Sequence, residues 1–276
     1  MIHLRRIYPI RTIFVSAAIV LVLALAANAQ DAREEFHKTY PLKADGSISL
    51  QNVNGSLTIN AWDRNEVRVD AVKIASDRNR LAELRIDVTA GSGAIDIHTR
   101  YPHGSTHGKL EVNYTLTVPR NARIDRVEMV NGNVTVDGVH SSMRIETVNG
   151  AIRVNGAAGE LSLKSVNGAV DAKVSRLGDR SALDCVNGSV NLTLPSDANG
   201  EITASTIHGN ITNSFSLPVR KPRYGPGSKM HGRLGNGGGR INISTVNGNI
   251  SVQHDSDGKP LSKATSLLPE DNGSSY

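Results

Sequence analysis

Three histidines within ten residues are the first candidates for chemistry in this chain. His98, His103 and His107 could offer imidazole ligands to a metal ion. Their spacing does not place them on one face of a helix, and neither a cysteine nor a pair of carboxylates accompanies them. The pattern favours histidines in a loop over a metal centre, so we expect neither a metal ion nor another cofactor.

A basic segment near the C-terminus is the strongest charge asymmetry of the chain. Residues 216–240 contain no acid and carry six basic residues: Arg220, Lys221, Arg223, Lys229, Arg233 and Arg240. The prolines and glycines of this segment predict a long loop or flap. It could bind a polyanion such as lipopolysaccharide or teichoic acid, although a solvated loop lying across the fold is the simpler interpretation. We expect no binding of nucleic acid, because aromatic residues, which would stack on bases, make up only 4% of the chain.

Catalysis on a polysaccharide would need two carboxylates close together on one outer face. Glu146, Asp171 and Asp184 occur singly along the repeats described below. The sequence therefore indicates no enzyme.

Cys185 is the only cysteine, so the chain forms no internal disulfide. It stands directly before Val186, where sister repeats place Thr147 and Ser165. A position filled by Thr, Ser or Cys alike is typical of a small inward slot. We interpret Cys185 as a packing residue and not as a nucleophile.

A repeated tripeptide organises the chain. Val-Asn-Gly occurs six times, and Ile207-His208-Gly209 is a degenerate copy. From Asn131 to His208 the middle residues are 18 to 21 positions apart, which indicates stacked supersecondary units. The predicted corner residues are Asn54, Gly55, Asn131, Gly132, Asn149, Gly150, Asn167, Gly168, Asn187, Gly188, Asn247 and Gly248.

The residues on both sides of each corner alternate between apolar and polar, which predicts two strands joined at the corner. Asn-Gly between strands is also a hairpin signal, so a meander of antiparallel hairpins is the rival architecture. The near-constant spacing favours a parallel β-solenoid of about 18–21 residues per coil, with the corners stacked in a column. We expect positive φ at Gly150 and Gly168. The predicted inward residues are Ile145, Thr147, Ile152, Val154, Leu163, Leu183, Cys185 and Ile243.

The first 29 residues predict a signal peptide. Basic residues precede an uncharged, mostly apolar run at 13–27, and Ala27-Asn28-Ala29 supplies a cleavage site. The run is short for a membrane span, so we expect an exported protein of the periplasm, the cell surface or the medium, with no integral membrane segment after cleavage. Residues 30–253 form one predicted solenoid domain with an insertion at 216–240. The polar residues 254–276 predict a disordered tail.

The motifs also resemble those of a known family. Val53-Asn54-Gly55 is followed by Trp62-Asp63, Leu194-Pro195 precedes Ile207-His208-Gly209, and the closing segment runs from Gly232-Arg233-Leu234-Gly235 to Val246-Asn247-Gly248. Over residues 36–252 the chain resembles the bacterial putative-adhesin family, an exported domain of unknown function. The resemblance implies a right-handed parallel β-solenoid and supplies no known catalytic or binding residues. His208 departs from the asparagine of this pattern.

These observations predict an exported, non-enzymatic protein of the cell envelope or surface that acts as an adhesin or structural binding module. Its partner would be an envelope polysaccharide or an envelope protein. A regulatory or sensing module with a protein partner is the alternative, and a polysaccharide-active β-helix enzyme is the least favoured interpretation.

Overall fold

The computed structural model describes residues 31–102, 108–222 and 225–269, and its fold is almost entirely β. The predicted signal peptide, His103, His107, Arg223 and residues 270–276 lie outside the described residues. Two long sheets face each other across one apolar core. The all-β prediction is confirmed.

The first sheet has ten strands. In spatial order they are β1 (Ala32–Pro41), β4 (Glu66–Ala75), β7 (Leu110–Pro119), β3 (Leu57–Trp62), β9 (Val134–Asp137), β11 (Ile152–Ala157), β13 (Val170–Val174), β15 (Val190–Leu194), β21 (Ile250–His254) and β17 (Ile211–Asn213).

The second sheet has twelve strands. Their spatial order is β18 (Val219–Arg220), β19 (Ser228–Leu234), β16 (Gly200–His208), β20 (Gly239–Asn247), β14 (Arg180–Asn187), β12 (Leu161–Asn167), β10 (Met143–Asn149), β8 (Arg123–Asn131), β2 (Ser47–Asn54), β6 (Ala94–Arg100) and β5 (Arg85–Ala90), and β22 (Ala264–Ser266) also pairs with β19. A short helix, α1 (Arg78–Glu83), follows β4, and the Asp77 side chain caps it by accepting from the Arg80 N–H.

Each corner joins a strand of the second sheet to a strand of the first. The two strands of a corner, such as β10 and β11, do not pair with each other as they would in a hairpin. Instead β10 pairs in parallel with β8 and β12, with Asn149 opposite Asn131 and Asn167. The register is that of stacked layers, which excludes the hairpin meander.

The layers do not stack in chain order. β20 lies between β14 and β16, so Asn247 is opposite both Asn187 and His208. The reason is a reversal after β16: β19 pairs antiparallel with one edge of β16, and β20 then pairs with the other edge. Gly235, Gly237 and Gly238 allow this passage, because all three have positive φ. At the other end, β2 pairs with β8 and β6 lies outside β2.

The eight predicted inward residues are all buried, between 0% and 4% exposed. They alternate along each strand with outward polar residues: the half-buried Glu146 separates Ile145 and Thr147 on β10, and the exposed Arg153 separates Ile152 and Val154 on β11. The period of two therefore places one apolar face of each sheet in the shared core.

The corner glycines are required for a reason that the sequence analysis does not give. Gly168 has the expected positive φ, 157°, and Gly150 does not, so the expectation is confirmed at Gly168 and wrong at Gly150. A Cβ on Gly150 would lie less than 3.0 Å from the carbonyl oxygen of Gly132 in the adjacent layer. At Gly132, Gly168 and Gly248 a Cβ would likewise overlap the carbonyl of the corner glycine in the adjacent layer. Close approach of the backbones therefore excludes a side chain at each of these corners, whatever the φ of its glycine.

The basic segment is only partly a loop. Most of its second half is strand, since β19 alternates inward Met230 and Leu234 with outward Lys229 and Arg233, and Arg240 lies on β20. The prolines and glycines suggested a flap because they flank these strands and hide their period of two.

The described part of the tail is ordered against the fold, which corrects the predicted disorder up to residue 269. β22 pairs with β19 from Leu234 to Gly232, and hydrogen bonds from Ser196 help to hold the pKa of Asp257 at about 2. A polar segment can pair in this way because sheet edges are bound through backbone groups, which need no apolar side chain.

Replacing Gly150 by Ala should destabilise the protein by about 1–3 kcal/mol, because the added methyl group overlaps the Gly132 carbonyl. Gly93→Ala is the matched control, since a Cβ there meets no atom within 4 Å. Urea unfolding of both variants measures the difference. Equal stability of the two would contradict the close-approach account.

Leu183→Ala should lower the free energy of unfolding by about 2–5 kcal/mol, because it leaves a cavity at a fully buried position. Cys185→Ser should cost less than about 1 kcal/mol, since the serine hydroxyl can donate to the Gly168 carbonyl as the thiol does at 3.1 Å. Thermal melts of both variants, compared with the parent chain, test this order. A larger loss of stability for Cys185→Ser than for Leu183→Ala would show that Leu183 is not the core residue and that Cys185 is more than a small packing residue.

Candidate functional site

The corner asparagines form one hydrogen-bonded ladder. The Nδ2 of Asn149 donates to the Oδ1 of Asn131 at 2.8 Å, and the Nδ2 of Asn167 donates to the Oδ1 of Asn149 at 2.9 Å. The same bond joins Asn131 to Asn54, Asn187 to Asn167 and Asn247 to Asn187, at 2.8 to 2.9 Å. Each amide thus fixes the next layer in register, and His208 lies one layer beyond Asn247.

Tyr101 closes the other end of the ladder. Its hydroxyl accepts the N–H of Asn54 at 2.9 Å and donates to the Oδ1 of Asn52 at 2.8 Å. The Nδ2 of Asn54 donates to the Leu110 carbonyl at 3.1 Å. Burial raises the pKa of Tyr101 to about 12, so this hydroxyl keeps its proton and its donor role at neutral pH.

A second column supports the corners from inside. The hydroxyl of Ser165 donates to the Gly150 carbonyl at 2.9 Å, and that of Thr245 donates to the Gly188 carbonyl at 3.0 Å. Cys185 occupies the equivalent place, and burial raises the pKa of its thiol, which keeps the sulfur protonated. The column satisfies the corner carbonyls, so Ser, Thr and Cys at this position have a structural role.

The residue before each asparagine faces the solvent and is apolar. We call the resulting row the valine stripe; it comprises Val53, Val130, Val148, Val166, Val186, Val246 and Ile207, each 36% to 48% exposed. Parallel strands are about 4.8 Å apart, so seven layers give a stripe about 29 Å long. A continuous apolar row of this kind is unusual on a protein surface, which makes the valine stripe the candidate interaction site.

Polar side chains form one wall beside the valine stripe. Gln51, Glu128, Glu146, Lys164, Asp184 and Ser244 stand two residues before the stripe positions, and together with the valines they line a shallow groove of about 680 Å³. Three carboxylates against one lysine make this wall acidic. The groove therefore combines a straight apolar floor with hydrogen-bond acceptors along one side.

The stacking brings two of these acids together. Glu146 lies opposite Glu128 on adjacent parallel strands, an acid pair that the sequence analysis missed because the two residues are 18 positions apart. Arg126 forms an ion pair with Glu128, and Ser244 donates to the Oδ1 of Asp184 at 2.6 Å. These contacts hold the carboxylates of Glu128 and Asp184 at the sheet surface, where they form part of the polar wall of the groove.

The predicted basic residues do not form one positive patch. Arg233 and Arg240 lie on opposite sides of Glu201 in the sheet. The Glu201 carboxylate is 2.8 Å from His231 and 3.8 Å from Arg240, and the hydrogen bond with His231 is the largest cause that lowers the pKa of Glu201. β16 thus supplies the acid that residues 216–240 lack in sequence.

Three other predicted basic residues are neighbours at the edge of the sheet. Lys221 donates to the Oδ1 of Asn210 at 3.2 Å, and Arg220 lies opposite Lys229 in the antiparallel pair of β18 and β19. Arg223 lies outside the described residues.

Neither a metal site nor a membrane helix is found where the structure describes the chain. His98 lies on β6, and across residues 31–102, 108–222 and 225–269 no group of three or more His, Cys, Asp or Glu could hold a metal ion. In the same residues no helix is long and apolar enough to cross a bilayer.

The sequence contained a signal for the valine stripe. The period of two that places Thr147 inward also places Val148 outward, and the same count applies at every copy. The predicted corner residues are only asparagines and glycines, so the side on which the valine lies was left without a prediction.

Parallel strands stacked in register, joined by a repeated corner and exposing a continuous apolar row, define a β-solenoid with an apolar stripe along its side. The chain belongs to the Toastrack DUF4097 family, whose sequence profile matches residues 37–253.

Two solved structures illustrate the likeness. A putative cell adhesion protein from Clostridium sporogenes ATCC 15579 is 12% identical with a TM-score of 0.44, and the match covers 82% of this chain and 100% of that one. A putative adhesin from Bacteroides fragilis NCTC 9343 is 13% identical with a TM-score of 0.43, covering 80% and 97%. At these values the likeness says nothing about what this chain binds. The comparison with curated proteins found no match.

Asn149→Ala should destabilise the protein more than Asn247→Ala, because Asn149 makes two ladder bonds and Asn247 makes one. Each lost bond should cost about 0.5–1.5 kcal/mol, toward the lower limit because the amides are exposed. Chemical unfolding of the two variants measures the order. A larger loss at Asn247 would contradict a ladder in which the bonds contribute equally.

Proposed function

We propose that this chain is an exported, non-enzymatic binding module of the bacterial cell envelope, and that it holds an extended partner along the valine stripe. The observation that carries the proposal is the exposed row of seven β-branched residues in register. The signal-peptide pattern of residues 1–29 supports export. We further take the coil to be right-handed with about 18–21 residues, as the family resemblance implies.

The shape of the groove favours a linear partner. Its floor repeats every 4.8 Å or so, and a ligand that also repeats can make the same contact in each layer. Asn131, Asn149, Asn167, Asn187 and Asn247 each use one of their two amide N–H groups within the ladder, so a second N–H and an oxygen lone pair stay available beside the stripe.

The charges of the groove favour a neutral or cationic polysaccharide. Glu128, Glu146 and Asp184 can accept hydrogen bonds from hydroxyl groups, and they repel anionic polymers. The valines supply apolar contact to the C–H faces of the sugars. In the regulatory alternative a protein partner would contact the same apolar row. The binding test below distinguishes this partner from a polysaccharide.

The double variant Val148→Thr/Val166→Thr should weaken binding at least tenfold, about 1.4 kcal/mol, because it removes apolar contact in two adjacent layers while keeping β-branched side chains. Val72→Thr is the control, since Val72 is half-buried on the outer face of the first sheet. The measurement is binding to a glycan array and to isolated envelope polysaccharide, beside a pull-down from envelope extract.

Three outcomes would change the proposal. Equal binding by the parent chain and the double variant would show that the valine stripe is not part of the binding site. Capture of a specific protein, without any glycan, would favour the regulatory alternative. Release of sugar fragments from the polysaccharide would assign the acid pair Glu128 and Glu146 to catalysis.

A further inference from the structure

The first sheet ends in a long open edge. β1 pairs with β4 over ten residues without a register shift, from Ala32 opposite Ala75 to Pro41 opposite Glu66. β1 is the terminal strand of this sheet, and no strand among the described residues pairs with its outer edge. Such an edge presents a row of backbone N–H and C=O groups to any strand that can pair with it.

The edge lacks several of the usual protections against pairing, although it is rich in charged residues. Proteins block edge strands with bulges, with proline, with charged side chains, by covering them or by making them short. β1 is regular over its whole length, and its one proline, Pro41, is the last residue. Its charges also balance, with Arg33 and Lys38 against Glu34 and Glu35.

We propose that two copies of the chain pair through the outer edge of β1, antiparallel, in the register that places Phe36 opposite Phe36 of the second copy. The pairing joins the two first sheets into one continuous sheet across a two-fold axis. The proposal does not depend on what the valine stripe binds.

Hydrogen-bond geometry limits the registers. Residues directly opposite each other in an antiparallel pair are of the same hydrogen-bonding type, which alternates along the strand. In a symmetric pair the two-fold axis must therefore pass through a residue opposite its own copy. Near the centre of β1 the choices are Glu35, Phe36 and His37.

The side chains select one of the three. With the axis at Phe36, Glu34 faces Lys38 of the second copy and Glu35 faces His37 of the second copy, each twice, while Ala32 faces Tyr40. With the axis at Glu35, two glutamates face each other at the centre. With the axis at His37, two histidines meet and Phe36 faces a lysine. Opposite charges across strands stabilise a pair and like charges destabilise it, so the register at Phe36 is favoured. Glu34 already forms an ion pair with Lys73 of its own copy at 2.6 Å, so in this register it would lie between Lys73 and Lys38 of the second copy.

The other contacts within one copy agree with this register. Phe36 and Tyr40 are half-buried and pack on the edge of the core, so an aromatic pair at the axis would extend the core between copies. Glu35 already contacts His37 at 3.1 Å on the same face, and Asp70 contacts His37 at 2.7 Å. These acids raise the pKa of His37, which favours the charged form that Glu35 of the second copy would meet.

A dimer of this kind would carry two valine stripes. If the stripe binds a polymer as proposed above, two stripes on one particle raise the strength of attachment without any new contact.

Sedimentation of the processed, exported chain tests the association. The parent chain should form a dimer at micromolar concentration, and Lys38→Glu should weaken it at least tenfold, because two pairs of glutamates then face each other. Lys43→Glu is the matched control: it makes the same charge change at an exposed lysine just after β1. A monomer at every concentration, or a dimer that Lys38→Glu leaves unchanged, would overturn the proposal.

Disulfide formation tests the register even if Lys38→Glu alters folding. Phe36→Cys should cross-link to itself on oxidation, because opposite Cα atoms in antiparallel strands are about 4.5–5.5 Å apart, within disulfide range. Glu35→Cys and His37→Cys should cross-link far less, since each faces a different residue. Faster cross-linking at residue 35 or 37 would overturn the proposed register.

Discussion

The approach of one corner backbone to the next is the constraint on which the structure depends. At Gly132, Gly150, Gly168 and Gly248 the neighbouring carbonyl occupies the place of a side chain, so only glycine permits the layers to stack at strand spacing. The corner carbonyls then accept hydrogen bonds from the inward column of Ser, Thr and Cys. The Gly150 carbonyl, for example, accepts from the Ser165 hydroxyl. With the backbones fixed at this distance, the asparagine amides meet at 2.8 to 2.9 Å and hold the register from outside.

The candidate site follows from the same constraint. Once Thr147 is inside and Asn149 is at the corner, Val148 must face the solvent, and the stacking repeats this arrangement in seven layers. An apolar residue that would be unremarkable alone becomes a row about 29 Å long, with acids aligned beside it. The candidate binding surface is therefore a property of the stack and not of any single repeat.

The sequence predicts the repeating part of this fold well. Period two and the constant spacing give the strands, the corners and the inward set that includes Leu163 and Ile243. The order of the last layers could not be predicted, because β20 reaches the far edge of β16 through backbone pairing that leaves no pattern in side chains. The pair Glu128 and Glu146 depends on register, which spacing alone does not fix to the residue. Residues 216–240 were misjudged because their prolines and glycines flank strands, and because the acid that faces them, Glu201, comes from another strand.

The order of the corner stack is the central claim, and disulfide cross-linking measures it directly. In a Cys185→Ser background, Val186→Cys combined with Val246→Cys should form a disulfide readily, since Cys185 and Asn187 lie opposite Thr245 and Asn247 in adjacent layers. Val186→Cys combined with Ile207→Cys should not, because β20 separates their strands by two layers, about 9.6 Å, beyond the 7 Å or so that a disulfide spans. Cross-linking of the second pair and not the first would show that the corners stack in chain order, and would contradict the account.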